Sequence, residues 1–183
     1  LVMDSLVKAT TRPRPGRPEV VPWDPKNRFR LYYESLRDRL MTYFEIHNMT
    51  NKPKLGAITS CDTGAGVSLL AAGLAATVSE TGDGNVLLVD MTGEKGVART
   101  FFKGQPTTDL EDAVDETTRD QALVQERLFV ASGVESRPGN GISRLPRILP
   151  KQFGALVPKL KASDYDYIIF DMPPVTQTSV TPR

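Results

Sequence analysis

Apolar and polar positions follow a helical rhythm early in the chain and a strand-and-helix alternation later. After Asp24-Pro25, a candidate N-cap followed by a proline suited to a first helical turn, Phe29, Tyr32, Leu36, Leu40, Tyr43 and His47 recur at helical spacing. The pattern predicts an amphipathic helix over 25–48. From Lys54 onward short apolar runs alternate with helical stretches, the order of an α/β domain with a mainly parallel sheet flanked by helices. Strands are predicted at Leu55–Ser60, Asn85–Asp90, Arg127–Ser132 and Tyr165–Asp171. Helices are expected from Gly66 to Glu80, from Thr108 to Gln125 with a Thr108-x-x-Glu111 capping box, and around Lys151–Ala162, where Pro158 should shorten or kink the last one. The stretch 133–150, rich in Gly, Pro and Arg, reads as a surface loop.

Composition sharpens this picture at the N-terminus. Five prolines fall at 13, 15, 18, 22 and 25, among arginines at 12, 14 and 17, so 1–24 is expected to be a basic, extended linker preceding one domain at 25–183. The full chain of 183 residues has 23 basic and 22 acidic side chains, a net charge of +1, too little for the electrostatic footprint of a nucleic-acid binder. Acidic 107–126 and basic 127–161 read as two solvated surfaces. A single cysteine, Cys61, excludes an internal disulfide and fits a reducing compartment. His47 has no second histidine with which to build a zinc site.

The candidate chemistry lies between the first strand and its helix. Ile58-Thr59-Ser60 leads through Cys61-Asp62-Thr63-Gly64-Ala65-Gly66-Val67-Ser68-Leu69, a glycine-rich turn opening an apolar helix. Such a turn can direct successive backbone N–H groups at phosphate oxygens, at the positive end of the helix. Two further strands end in acids, at Val86–Asp90 and at Ile168-Ile169-Phe170-Asp171-Met172-Pro173-Pro174. Both acids should meet the loop at the carboxyl edge of the sheet, where a carboxylate can hold Mg²⁺ or its waters or accept a proton.

Together these motifs resemble the bacterial tyrosine autokinases, the cytoplasmic part of polysaccharide co-polymerases. The likeness runs over about residues 29–183: Leu36-Arg37-Asp38-Arg39-Leu40 in the early helix, a Walker A-like turn at Cys61–Ser68, an A-prime strand end at Asp90 and a Walker B-like strand end at Asp171. It implies a deviant P-loop NTPase fold of the MinD/ParA type, ATP with Mg²⁺ as ligands, and a nucleotide site at Thr63, Gly64, Ala65, Gly66, Val67, Ser68 and Leu69. Asp90 and Asp171 are implied as catalytic, and Ser68 with Asp90 as metal ligands. Ring-like self-association would fall on Glu34, Arg37 and Arg39. The resemblance also implies partners in polysaccharide export and polymerisation, at the cytoplasmic face of the bacterial inner membrane. Membrane contact is expected only through flanking segments or a partner.

The departures are specific. Val67 stands where the family has the Walker lysine, Thr92 replaces the second acid after Asp90, and Asp62 takes the place of an early-loop lysine in related partitioning ATPases. Leu31 and Glu34 depart from the family's ring motif, of which Arg37 alone is matched. The last 12 residues after Asp171 hold no tyrosine cluster, so the sheet is expected to lack its later strands. These features point to a catalytically degenerate kinase-like domain that regulates polysaccharide assembly, with weak ATP and Mg²⁺ binding. An active autokinase drawing a lysine from elsewhere, such as Lys95, and a scaffold without nucleotide remain the alternatives.

Overall fold

A computed structural model of the chain describes residues 21–92, 101, 107–133 and 150–175. Residues 1–20 of the expected linker, 134–149 of the expected loop, and Lys95 lie outside them. Five strands form one sheet in the order β1-β5-β2-β4-β3: β1 (Lys54–Ile58), β2 (Val86–Asp90), β3 (Leu123–Gln125), β4 (Leu128–Ser132) and β5 (Tyr167–Asp171). All neighbours are parallel except β3, which pairs antiparallel with β4 across a bulge. The expected mainly parallel sheet is thus present, with β3 as an unforeseen edge strand. β1 forms the other edge, and its Leu55 is half-exposed.

Helices α1 (Arg30–Ile46) and α2 (Val67–Ser79) cover one face, while α3 (Leu110–Val114) and α4 (Pro150–Ala162) lie toward the other. Strand alternation sorts the core. Val86, Leu88, Val130 and Ile169 pack with Ala71, Ala72, Leu74 and Val78 of α2, whereas Leu87, Val89, Phe129, Ile168 and Phe170 pack with Leu110, Ala113, Leu160 and Tyr165. Helix α2 is buried almost all round because it is sandwiched between the sheet and α1. Its small residues, Ala71, Ala72, Gly73, Ala75 and Ala76, allow both approaches.

Three sequence expectations need correction. The early helix starts at Arg30, not at residue 25, because Asp24 and Asn27 spend their side chains on turns: Lys26 N–H donates to Asp24 Oδ1 (2.7 Å) and Phe29 N–H to Asn27 Oδ1 (2.9 Å). It ends at Ile46, before Asn48 at φ 50. Its buried stripe runs through Phe29 and Tyr33, with Leu36 and Leu40 partly buried, while Tyr32 and Tyr43 are exposed. Tyr33 is selected over Tyr32 because its ring lies on Gly73, where a Cβ would stand 2.4 Å away.

The expected helix 108–125 breaks after Val114. Asp115 turns extended, and its Oδ1 accepts from Thr117 N–H (2.8 Å) and Thr117 Oγ1 (2.6 Å), an Asx turn that stops the helix. A 3-10 turn at Arg119–Ala122 and strand β3 follow. Nor does the capping box form: Asp109 is the N-cap, and Thr108 Oγ1 donates to Gln121 O (3.0 Å). Helix α4, by contrast, runs 13 residues with Pro158 inside it.

Candidate phosphate-binding site

The loop joining β1 to α2 is built by two left-handed glycines. Gly64 has φ +76 and Gly66, the N-cap of α2, has φ +78, conformations strained for any residue with a Cβ. A Cβ at either would meet nothing within 4 Å, so backbone conformation and not space requires glycine there. Helix α2 then begins at Val67, so the loop ends at a helix N-terminus whose first N–H groups have no intrahelical partners.

Hydrogen bonds tie the loop to the Walker B-like segment. Met172 N–H donates to Ile58 O (2.9 Å), Val175 N–H to Ser60 O (2.9 Å), and Thr59 Oγ1 to Pro173 O (2.8 Å). Ser60 Oγ donates to Asp62 O (2.7 Å). Thr63, Gly64 and Asp62 are exposed, Ala65, Gly66, Ser68 and Leu69 are intermediate, and Val67 is buried.

The two strand-end acids converge as expected. Ile58, Asp171, Asp90 and Ser132 lie in register across β1, β5, β2 and β4. Alternation puts Asp171 and Asp90 on the face shared with α2, since Ile169 and Leu88, two residues before each, belong to the core on that face. Both carboxylates are buried. Asp90 Oδ1 accepts from Thr92 N–H (2.8 Å) and Thr92 Oγ1 (2.7 Å). The residue that replaces the family's second acid therefore serves the first one as a donor. Sequence reasoning treated Thr92 only as a lost carboxylate; its position two residues after an Asp was the available signal for an Asx turn.

A second contact also escaped the sequence. Asp62 Oδ1 accepts the Thr63 N–H at 2.7 Å, so a carboxylate of this chain occupies one amide of the glycine-rich loop. The loop geometry fits a phosphate through backbone N–H groups, and Ser68, Asp90 and Asp171 are oxygen donors of the kind Mg²⁺ takes. Among the described residues no three His, Cys, Asp or Glu side chains form a metal cluster, so phosphate and water would complete such a site. Val67, buried in α2, supplies no charge.

Of the implied oligomer residues, Glu34 and Arg39 border one shallow groove on α1, whereas Arg37 points toward α2. Arg30 donates through Nε to Glu34 Oε1 (2.7 Å) and also binds Glu80, and these carboxylates push its pKa up further. Arg37 reaches inward, donating to Asp38 Oδ1 (2.9 Å) and to Thr77 O at the end of α2 (3.4 Å). Arg39 lies on the exposed side of α1. His47 is exposed at the end of α1, with Nδ1 2.9 Å from Tyr43 O.

No protein-family model matches the sequence, and no curated protein does. The structure is similar to that of the chimerical protein CapA2B2, at 23% identity and TM-score 0.59 over 83% of this chain and 64% of that one. It is also similar to a ParA family ATPase from Chlorobium tepidum TLS, at 24% identity and TM-score 0.51 over 68% of this chain and 52% of that one. The chain thus spans less than two thirds of either structure's length. These likenesses are of fold alone: the chain is an α/β domain whose fold is similar to that of these two structures. It is the mainly parallel, helix-flanked α/β fold that the motifs suggested, shared with the ParA family ATPase.

Proposed function

We propose that this chain is a catalytically degenerate, tyrosine-kinase-like domain that regulates the chain length and export of a capsular or extracellular polysaccharide. On this reading it works at the cytoplasmic face of the bacterial inner membrane and contacts polymerisation and export proteins. Among the described residues no helix is long and apolar enough to cross a membrane, so membrane attachment in this proposal falls to a flanking segment or a partner. The observation that carries the reading is the site's split character. Its backbone cradle and paired strand-end acids have the form of a nucleotide site, yet Val67 stands where the phosphate-binding lysine belongs. ATP with Mg²⁺ would be held by the loop amides, Ser68, Asp90 and Asp171. Mg²⁺ would supply charge neutralisation at the terminal phosphates, and the chain itself would supply positioning.

Losing a charge-assisted hydrogen bond worth roughly 1.5–3 kcal/mol weakens ATP about ten- to a hundredfold. Because charge builds further on the transferred phosphoryl group in the transition state, transfer suffers more than binding. Calorimetric titration with ATP, with and without Mg²⁺, beside the V67K variant is the test. Weak binding strengthened about tenfold or more by V67K supports a decayed kinase site. Phosphate transfer by the unmodified chain, abolished by Asp171→Asn, would overturn the reading. The Asp62 contact with Thr63 N–H favours the scaffold alternative, which unchanged binding in a folded V67K variant would support.

A further inference from the structure

The residues entering α1 form a flat, cationic platform beside the glycine-rich loop. The Arg28 guanidinium stands over the Phe29 ring, 4.6 Å from its centroid, and Arg28 is exposed. Tyr32, 40% exposed, tilts at 52° against the same ring, with centroids 6.3 Å apart. Phe29 is itself buried, and with Tyr33 it packs on Leu69 and Leu70. These leucines belong to the first turn of α2, where Leu70 N–H donates to Gly66 O (3.0 Å), so the platform adjoins the loop. Arg28 leans the same way: burial raises the Tyr33 phenol, and the Arg28 charge opposes that rise.

The backbone on either side of Arg28 is fixed by one buried side chain. Asn27 Oδ1 accepts the Phe29 N–H (2.9 Å), and Asn27 Nδ2 donates to Val21 O (3.0 Å). The Asn27 N–H donates to Asp24 O (2.8 Å), and Arg30 N–H to Asn27 O (3.0 Å). A ligand meeting Arg28 therefore has little backbone to order.

The place of the platform defines what it can take. Helix α2 lies between the sheet and α1, with Asp90 and Asp171 on its sheet side and Phe29 on its α1 side. A phosphate ester held across the start of α2, with its terminal phosphates and Mg²⁺ toward the acids, can extend its organic end toward Arg28. A guanidinium is planar, delocalised and weakly hydrated, so it receives the flat face of a π-system as well as bearing charge. With Phe29 under one face of Arg28, the other is left for a nucleobase.

We propose that Arg28 stacks on the base of a purine nucleotide whose phosphates are held by the loop amides. The inference rests on the nucleotide-site reading above and adds to it the end of the ligand that the loop does not touch. Stacking reads the area of a base and not its hydrogen-bonding edge, so adenine and guanine are accepted alike and pyrimidines less well.

Calorimetric titration of the full chain with ATP, GTP, UTP and inorganic tripolyphosphate, each with Mg²⁺, tests it. Expected is equal binding of ATP and GTP, about fivefold or more tighter than tripolyphosphate, with UTP between them. Arg28→Ala and Arg28→Lys each bring ATP down to the level of tripolyphosphate, because lysine keeps the charge but has no plane to stack on. Both variants leave tripolyphosphate within about twofold, since an exposed charge is screened at physiological salt. Arg28 is exposed, so both variants melt as the unmodified chain does. Equal affinity for ATP and tripolyphosphate in the unmodified chain, or full ATP affinity in Arg28→Lys, would overturn the inference while leaving the phosphate site standing. Equal weakening of ATP and tripolyphosphate by Arg28→Ala would make Arg28 a phosphate partner and overturn it too. Heat from none of the four ligands would overturn the nucleotide-site reading, and this inference with it.

Discussion

Gly73→Ala should destabilise the protein, although the same change in a helix ordinarily stabilises. Gly73 sits inside α2, where replacing Gly by Ala gains about 0.8–1 kcal/mol from helix propensity alone. A Cβ there would lie 2.4, 2.4 and 2.5 Å from Cδ2, Cε2 and Cζ of Tyr33. Carbon contacts rest at about 3.5–4.0 Å, so α1 and α2 must separate by roughly 1 Å or the ring must leave its rotamer. Tyr33 is fully buried and packed with Phe29, Leu69 and Leu70, which leaves the ring no easy exit. Overpacking of this kind costs typically about 1–3 kcal/mol, so after the propensity gain the net loss is up to about 2 kcal/mol, up to several degrees in Tm. Gly154→Ala in α4 is the internal control, since its Cβ would meet nothing within 4 Å and should stabilise by up to about 1 kcal/mol. Urea unfolding of both variants, and of G73A combined with Tyr33→Leu, reads the effect. Equal stabilisation by the two alanines, or no recovery in the double variant, would refute the packing argument.

Burial pushes the Tyr33 phenol up to about 12 from its ordinary value near 10. The unfolded chain therefore ionises first, and stability falls by on the order of 2 kcal/mol as pH rises from about 10 to 12. Tyr33→Phe should flatten that part of the decline in a pH series of melting curves. It should also raise stability at neutral pH by about 1 kcal/mol, because the buried Tyr33 hydroxyl has no hydrogen-bond partner among the described residues. Leu36→Asp, placing a carboxylate among the side chains between α1 and the core, should cost about 2 kcal/mol in urea unfolding; an unchanged midpoint would show that α1 is not docked there. Asp62→Asn should tighten inorganic phosphate or ATP about fivefold in calorimetry by removing a negative charge from the loop, and no change would show that this carboxylate does not oppose the anion.

The parallel strands were legible because Val86–Asp90 and Tyr167–Asp171 are continuous apolar runs ending in an acid, a pattern that burial on both faces of a sheet demands. The glycine-rich loop was legible for the same local reason, since only glycines take the conformations of Gly64 and Gly66 cheaply. Less visible were features decided by tertiary partners. Tyr32 and Tyr33 are equal candidates for the stripe until Gly73 is seen to provide the flat surface for one of them. A helix through 108–125 satisfies periodicity, yet Asp115 and Thr117 bind each other and end it, leaving 123–125 to join the edge of β4. The sequence likewise separates Arg37 from Arg39 by nothing but order. Only packing shows that Arg37 turns to α2 while Arg39 stays on the open face.

The candidate site separates two contributions that are usually combined. Anion recognition by backbone amides depends on φ, ψ and the start of a helix, and all three persist here irrespective of which side chain follows Gly66. Charge neutralisation depends on side chains, and here the balance is reversed: Asp62 places a carboxylate at the loop, and Asp90 and Asp171 stand side by side beneath it without a lysine at position 67. Thr92 moderates one of these charges by donating twice to Asp90. The triphosphate of ATP, with a net charge of about −3 to −4, arriving without a cation would meet three carboxylates, so under the proposed function Mg²⁺ must arrive with the nucleotide or before it. That argument makes metal dependence steeper here than in a site with a loop lysine: ATP without Mg²⁺ should show no measurable heat, while V67K should recover part of the binding even in a chelator. Equal affinity with and without Mg²⁺ in the unmodified chain would mean that a cation reaches the phosphates from elsewhere in the protein.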